Sequence, residues 1–113
     1  MRRTLLSLSL LALVAAVLAV PALAATKRVK IGDNYFVRSS NDATVRLKKG
    51  DRIKFRNRGG VIHNVTVKSG PKKFRSGTIQ PGKTYTAKFS RKGTYRIVCS
   101  IHPPDQRLKV VVK

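Results

Sequence analysis

After Ala25, apolar and polar residues alternate in short runs broken by glycine-containing turns, and no helical period of useful length appears. Val29 and Ile31 point one way while Arg28 and Lys30 point the other, and Val45 and Leu47 repeat this against Thr44, Arg46 and Lys48. Lys49-Gly50-Asp51 turns the chain, Ile53 and Phe55 face inward against Arg52, Lys54 and Arg56, and Asn57-Arg58-Gly59-Gly60 breaks that strand. A strand over Val61 to Val67 follows, then a loop from Ser69 to Gly77 from which Phe74 folds back onto the core. Gln80-Pro81-Gly82-Lys83 is a turn. Tyr85, Ala87 and Phe89 alternate with Thr84, Thr86 and Lys88, Arg91-Lys92-Gly93 leads into a strand over Thr94 to Cys99, and Leu108, Val110 and Val112 share one face of Arg107 to Lys113. Seven to eight half-buried strands with frequent turns predict an all-β domain, a Greek-key β-sandwich.

Strand parity sorts the side chains further. His63 shares its face with Val61, Val65 and Val67, and Cys99 shares its face with Tyr95 and Ile97, so both are expected to face the core. His102 falls in the loop after Cys99, and a thiolate and an imidazole can therefore converge from one short turn while His63 arrives from another strand. Such a site sits at one end of the sandwich.

The first 24 residues belong to a different class of segment. Met1-Arg2-Arg3 is a basic start, Leu5 to Val20 is apolar, and Ala22-Leu23-Ala24 is a small-residue cleavage pattern, so residues 1–24 read as a signal peptide and 25–113 as one exported domain. Export implies a periplasmic or extracellular location; were the segment retained, its uncharged stretch is about long enough to anchor the chain in a bilayer.

Charge and cysteine count narrow the chemistry. Loss of residues 1–24 removes Arg2 and Arg3 and leaves 23 basic against 4 acidic side chains, a net charge of about +19 on 89 residues. A small exported domain often relies on disulfides, yet Cys99 is the only cysteine and cannot form one within the chain. It is an inert buried thiol, half of an intermolecular disulfide, or a metal ligand. Taken with His63 and His102, the only two histidines, it makes a soft three-point donor set that suits copper, in the trigonal His₂Cys arrangement with a weak axial ligand. Zinc is the alternative, with Asp105 completing a tetrahedron.

Four stretches carry a resemblance that covers nearly all of residues 25–113: V-R-L-K-K-G-D-R-I-K-F, H-N-V, S-G-T-I-Q-P-G-K-T-Y and K-G-T-Y-R-I-V-C-S-I-H-P. Together they are similar to the small blue copper proteins, the cupredoxins, of the plastocyanin and amicyanin type. The resemblance implies a type 1 copper site with His63, Cys99 and His102 as ligands, and a hydrogen-bonded brace between Asn64 and Ser100. It also implies an apolar electron-entry patch at His102, Pro103 and Pro104, joined by Gly59 to Val61. The family's usual axial methionine is missing, because Met1 is the only methionine. Counting from His102 by the amicyanin spacing puts Asp105 there; counting back from Q-R-L-K-V-V-V, in a loop one residue longer, puts Gln106 there. Gln106 is preferred, since glutamine is a known axial alternative and a hard carboxylate fits Cu(I) poorly.

The function implied is one-electron transport by Cu(II)/Cu(I) cycling, with copper delivery or storage as the alternative. An acidic redox protein is the expected partner, and anionic membrane or cell-wall surfaces would be attracted by the same charge. Export and the lack of an aromatic stacking ladder argue against nucleic acid. An enzyme is not expected, because Asn64 adjoins His63 on a strand and points away from it, unlike the orienting member of a thiol-protease set. A monomer is the default for so charged a domain.

Overall fold

The computed structural model describes residues 23–36, 43–101 and 106–113. Expectations that fall on residues 1–22, and on His102, Pro103, Pro104 and Asp105, lie outside the described residues. The described chain forms seven strands: β1 (Thr26–Ile31), β2 (Thr44–Leu47), β3 (Arg52–Asn57), β4 (Thr66–Ser69), β5 (Thr84–Lys88), β6 (Gly93–Val98) and β7 (Arg107–Val112). They pack as two sheets, one of order β1-β3-β5 and one of order β2-β7-β6-β4.

β1 runs parallel to β3, and β2 parallel to β7, while the remaining pairs are antiparallel. Parallel neighbours cannot be joined by a tight hairpin, so the chain must cross between sheets. Only β6 and β7 are consecutive and adjacent. This is the cross-connected β-sandwich that the alternation predicts, and no helix occurs among the described residues.

Register explains the core. Val29, Phe55 and Tyr85 lie in one cross-strand row, as do Ile53 and Ala87 in another; on the facing sheet Tyr95 is opposite Val110, and Ile97 lies between Val67 and Leu108. Because side chains alternate along every strand, these rows meet in one apolar interior while Arg28, Lys30, Arg52 and Arg56 stay in water. A succession of ring contacts runs through that interior, Phe36–Phe55–Tyr85–Phe74–Phe89–Tyr95, with centroids 5.0 to 6.4 Å apart. Those separations are in the range where edge and tilted aromatic pairs attract beyond simple burial. Phe74 does fold back from its loop onto this interior.

The expected strand from Val61 to Val67 is different in the structure. Regular pairing begins only at Thr66, and His63 instead makes an isolated bridge with Ile79, exchanging two backbone hydrogen bonds of 3.1 and 2.7 Å. Val61 and Ile62 are exposed, and the Val61 carbonyl accepts from the Asn57 side-chain amide at 2.8 Å. The physical reason is competition from side chains. Val65 N–H donates to Ser76 Oγ rather than to a neighbouring strand, and Asn64 spends its amide on the loop after Cys99. Alternation still turns His63 and Val65 inward, but the ladder gives way at the end that carries His63.

The turn at the opposite edge is closed by Asp51. Gly50 supplies the positive φ of 95° there, and the buried Asp51 carboxylate accepts from the amides of Lys48 and Ala25, each at 2.9 Å. First the Lys48 amide and then that of Ala25 hold this carboxyl below its ordinary value of 3.8. A depressed carboxyl contributes stability that is fully present above the unfolded value and is lost as pH falls through the folded one. Asp51→Asn is therefore expected to lower the thermal midpoint at pH 7. The gap to wild type should close in acid, below 3.8; a gap that persists unchanged at low pH would show that the carboxylate charge is not its source.

Candidate metal centre

At the end of the sandwich where β3 and β6 finish, two predicted ligands come together. Cys99 and His63 are both fully buried, and His63 Nδ1 lies 3.7 Å from Cys99 Sγ. Two donors bound to one metal at about 2.3 Å (sulfur) and about 2.0–2.1 Å (nitrogen), at tetrahedral to trigonal angles, lie about 3.5 to 3.8 Å apart. The observed separation fits a shared metal ion. His102 and Asp105 lie outside the described residues, and among those described no group of three His, Cys, Asp or Glu side chains is gathered.

Each predicted ligand is held by its neighbours. Asn64 follows His63 and reaches across to the loop after β6: its Nδ2 donates to Ser100 Oγ at 2.8 Å, and its Oδ1 accepts from Ser100 N at 3.0 Å. Thr66 Oγ1 donates to the same Oδ1 at 2.9 Å, and Asn64 N–H points at Cys99 Sγ at 3.4 Å.

Gln106 is also fully buried, brought beside Cys99 by the backbone bond from Cys99 N to the Gln106 carbonyl, 3.1 Å. Its Nε2 donates to the Gly32 carbonyl and, at 2.8 Å, to that of Tyr35. With the amide nitrogen thus fixed, Oε1 is left buried with no hydrogen-bond partner among the described residues. A buried carbonyl oxygen without a donor is costly unless something else engages it. A metal ion beside Cys99 and His63 would do so, and the donor set of sulfur, imidazole nitrogen and amide oxygen suits copper.

Two residues that the sequence pattern did not single out shape the site. Asn57, which reads as part of a strand-breaking turn, is fully buried; its Nδ2 donates to the Val61 and Ile79 carbonyls and its Oδ1 accepts from Gly59 N at 2.9 Å, so it folds the loop that delivers His63. The tendency of asparagine to bond the backbone two residues on, here at the first of two glycines, is the available signal. Asp33, from the loop after β1, has Oδ1 3.0 Å from His63 Nε2. The His63 ring, and next the Gly60 amide, hold the Asp33 carboxyl below its ordinary range. No sequence signal links two residues thirty positions apart.

The sequence profile of copper binding proteins of the plastocyanin/azurin family matches residues 25–113. The chain belongs to that family: it is a cupredoxin. Amicyanin-alpha of Methylorubrum extorquens is 38% identical over 72 residues, a match covering 61% of this chain and 60% of that protein. The cupredoxin thus aligns with less than two thirds of that relative's length.

Solved amicyanins share the fold. An oxidised amicyanin with a methionine-to-lysine substitution superposes at a TM-score of 0.64 with 27% identity, covering 78% of this cupredoxin and 82% of that chain. A Cu(I) amicyanin with a methionine-to-glutamine substitution gives 0.63 and 28% over the same shares. The copper-containing nitrite reductase of Thermus scotoductus matches at 0.66 with 23% identity over 85% of this cupredoxin but only 25% of that larger chain, a likeness of fold.

Proposed function

We propose that this cupredoxin is an exported one-electron carrier with a type 1 copper site formed by His63, Cys99, His102 and, axially, Gln106. The observation that carries the reading is the pairing of His63 Nδ1 and Cys99 Sγ at 3.7 Å beside the orphaned Oε1 of buried Gln106. Copper bound there would supply a Cu(II)/Cu(I) couple. The chain's own contribution is rigidity: His63 is held from both ring nitrogens' sides, and the Asn64 brace ties one ligand's loop to the other's. Ligands that do not move between oxidation states make electron transfer fast. The methionine-to-glutamine amicyanin with Cu(I) supports the idea that this fold keeps copper after such an exchange.

Exposed Val61, Ile62 and Ile101 lie within two residues of His63 or Cys99, and with His102, Pro103 and Pro104 they would form the apolar collar through which electrons enter. The partner is read as an acidic redox protein. On the outer face of the three-stranded sheet Arg28, Lys30, Arg52, Lys54, Arg56 and Lys88 occupy neighbouring register positions, within a chain of formal net charge +21. Like charges facing one another across strands cost stability, and they also steer an anionic protein, or an anionic membrane or cell-wall surface, toward the molecule. The association rate with an acidic redox protein is expected to fall by at least tenfold between about 10 and 200 mM salt, as the Debye length contracts. A rate indifferent to salt would remove steering from the account.

The test of the function is an optical titration of the metal-free protein with cupric ion. A strong blue or green thiolate band saturating at one equivalent, and bleached reversibly by reductant, is expected. No visible band together with tight zinc uptake would assign the site to zinc, with Asp105 as the fourth ligand; a band without a fast reversible couple would favour copper delivery or storage.

A further inference from the structure

We propose that Asp33 is a positioning residue of the metal site: its carboxylate fixes the His63 ring with Nδ1 turned to the metal beside Cys99, and its charge biases bound copper toward the cupric state. This rests on the copper reading above and adds to it a residue from a segment outside the ligand loops.

Three independent features converge on the contact. First, Oδ1 of Asp33 is 3.0 Å from His63 Nε2, the ring nitrogen opposite the one that faces Cys99. An ionised carboxylate only accepts, so Nε2 must carry a proton, and in the neutral ring Nδ1 then presents its lone pair to the site. Second, the carboxylate is itself pinned, accepting from Gly60 N at 3.0 and 3.2 Å through its two oxygens. Third, space for it exists because residue 59 lacks a side chain. A Cβ at Gly59 would sit 2.1 Å from Asp33 Oδ1 and 3.1 Å from His63 Nε2. Gly59 thus serves a close approach and not a turn.

The same short loop has a second hold on the site. Gly32 N donates to the Tyr35 carbonyl at 2.8 Å, and the carbonyls of Gly32 and Tyr35 are those that receive Gln106 Nε2. Residues 32 to 35 therefore orient one ring and one amide at once, Asp33 through His63 and the backbone through Gln106. Asp33 is also one of only four carboxylates in a chain with 25 basic residues, which makes a negative charge at this position a scarce and local feature. Negative charge behind an imidazole ligand strengthens its donation and stabilises the higher metal charge more than the lower.

The experiment has a metal-free and a loaded arm. In the metal-free protein, long-range proton–nitrogen correlation of the His63 ring is expected to show the Nε2–H tautomer, and Asp33→Ala to mix in the Nδ1–H form. In the loaded protein, Asp33→Asn is expected to weaken Cu(II) binding about 10- to 100-fold, the range seen when such outer partners of metal-bound histidines are removed. Cu(I) binding should weaken less, and each tenfold difference raises the one-electron potential by about 59 mV. Gly59→Ala, which pushes the carboxylate off the ring without altering charge, should reproduce the tautomer change.

Unchanged tautomer, affinities and potential in Asp33→Ala, Asp33→Asn and Gly59→Ala overturn the proposal. If one of the three fails to fold, the other two decide. If the wild type takes up no copper, the carrier reading fails separately, while the metal-free tautomer and the affinity for zinc still decide the role of Asp33.

Discussion

Cys99→Ser is expected to abolish the visible thiolate band completely and to leave the fold intact. The band arises from charge transfer between a thiolate and Cu(II), and Cys99 is the only sulfur donor outside Met1. The hydroxyl replacing it is a far weaker ligand for either copper state. Structure argues that the loss will be chemical and not conformational. Cys99 closes the β6 end with zero exposure, and serine occupies less space there. Its hydroxyl can accept from Asn64 N, which already points at the sulfur at 3.4 Å, and can pair with His63 Nδ1. The metal-free stability should therefore change by only about 1 kcal/mol. Circular dichroism of the metal-free variant and cupric titration of the same sample separate the two effects. A visible band surviving in the variant would mean that Cys99 is not the ligand, and the carrier reading would fall with it.

Much of the scaffold for this site is written in residue alternation. Val29, Ile53, Phe55, Tyr95 and Leu108 are inward and their neighbours along each strand are charged or polar, a local signal that needs no tertiary knowledge. The inward sense of His63 and Cys99 follows from the same parity. What alternation cannot report is where a backbone stops finding strand partners. Residues 61 to 67 read as one strand, yet Ser76 Oγ takes the Val65 amide and Asn57 takes the Val61 carbonyl, and those competitors lie 11 and 4 positions away. Asn57 itself reads as turn punctuation, and its burial depends on the Val61 and Ile79 carbonyls that accept from its amide.

Contacts set by sheet order are further from reach. Asp33 meets His63 because β1 lies beside β3 and not beside β2, a pairing fixed by the packing of the whole sandwich. Gln106 shows the intermediate case: its position relative to the final strand pointed to it, but its orphaned oxygen depends on the Gly32 and Tyr35 carbonyls more than seventy residues away.

Gln106→Met is expected to raise the reduction potential and lower the stability of the metal-free protein, and the two effects have separate causes. In the first, a thioether replaces an amide oxygen at the weak axial position; the softer donor favours Cu(I), and a tenfold change in relative preference is worth about 59 mV. A rise of that order or more is expected, with a change in the visible spectrum. In the second, the thioether cannot donate. The Tyr35 carbonyl keeps its bond from Gly32 N, but the Gly32 carbonyl loses the partner it has in Gln106 Nε2. One buried carbonyl left unpaired costs about 1–3 kcal/mol, visible as a lower denaturation midpoint before any copper is added. Gln106→Leu is the control, because it strands the same carbonyl yet offers the metal no donor. If both variants lose stability alike and both raise the potential by removing the amide oxygen, with a further change in the spectrum only where the thioether binds, oxygen and nitrogen of one amide have been assigned their separate tasks. If neither variant moves potential or spectrum, Oε1 is not bound to the metal, and Asp105 is the axial candidate to substitute next.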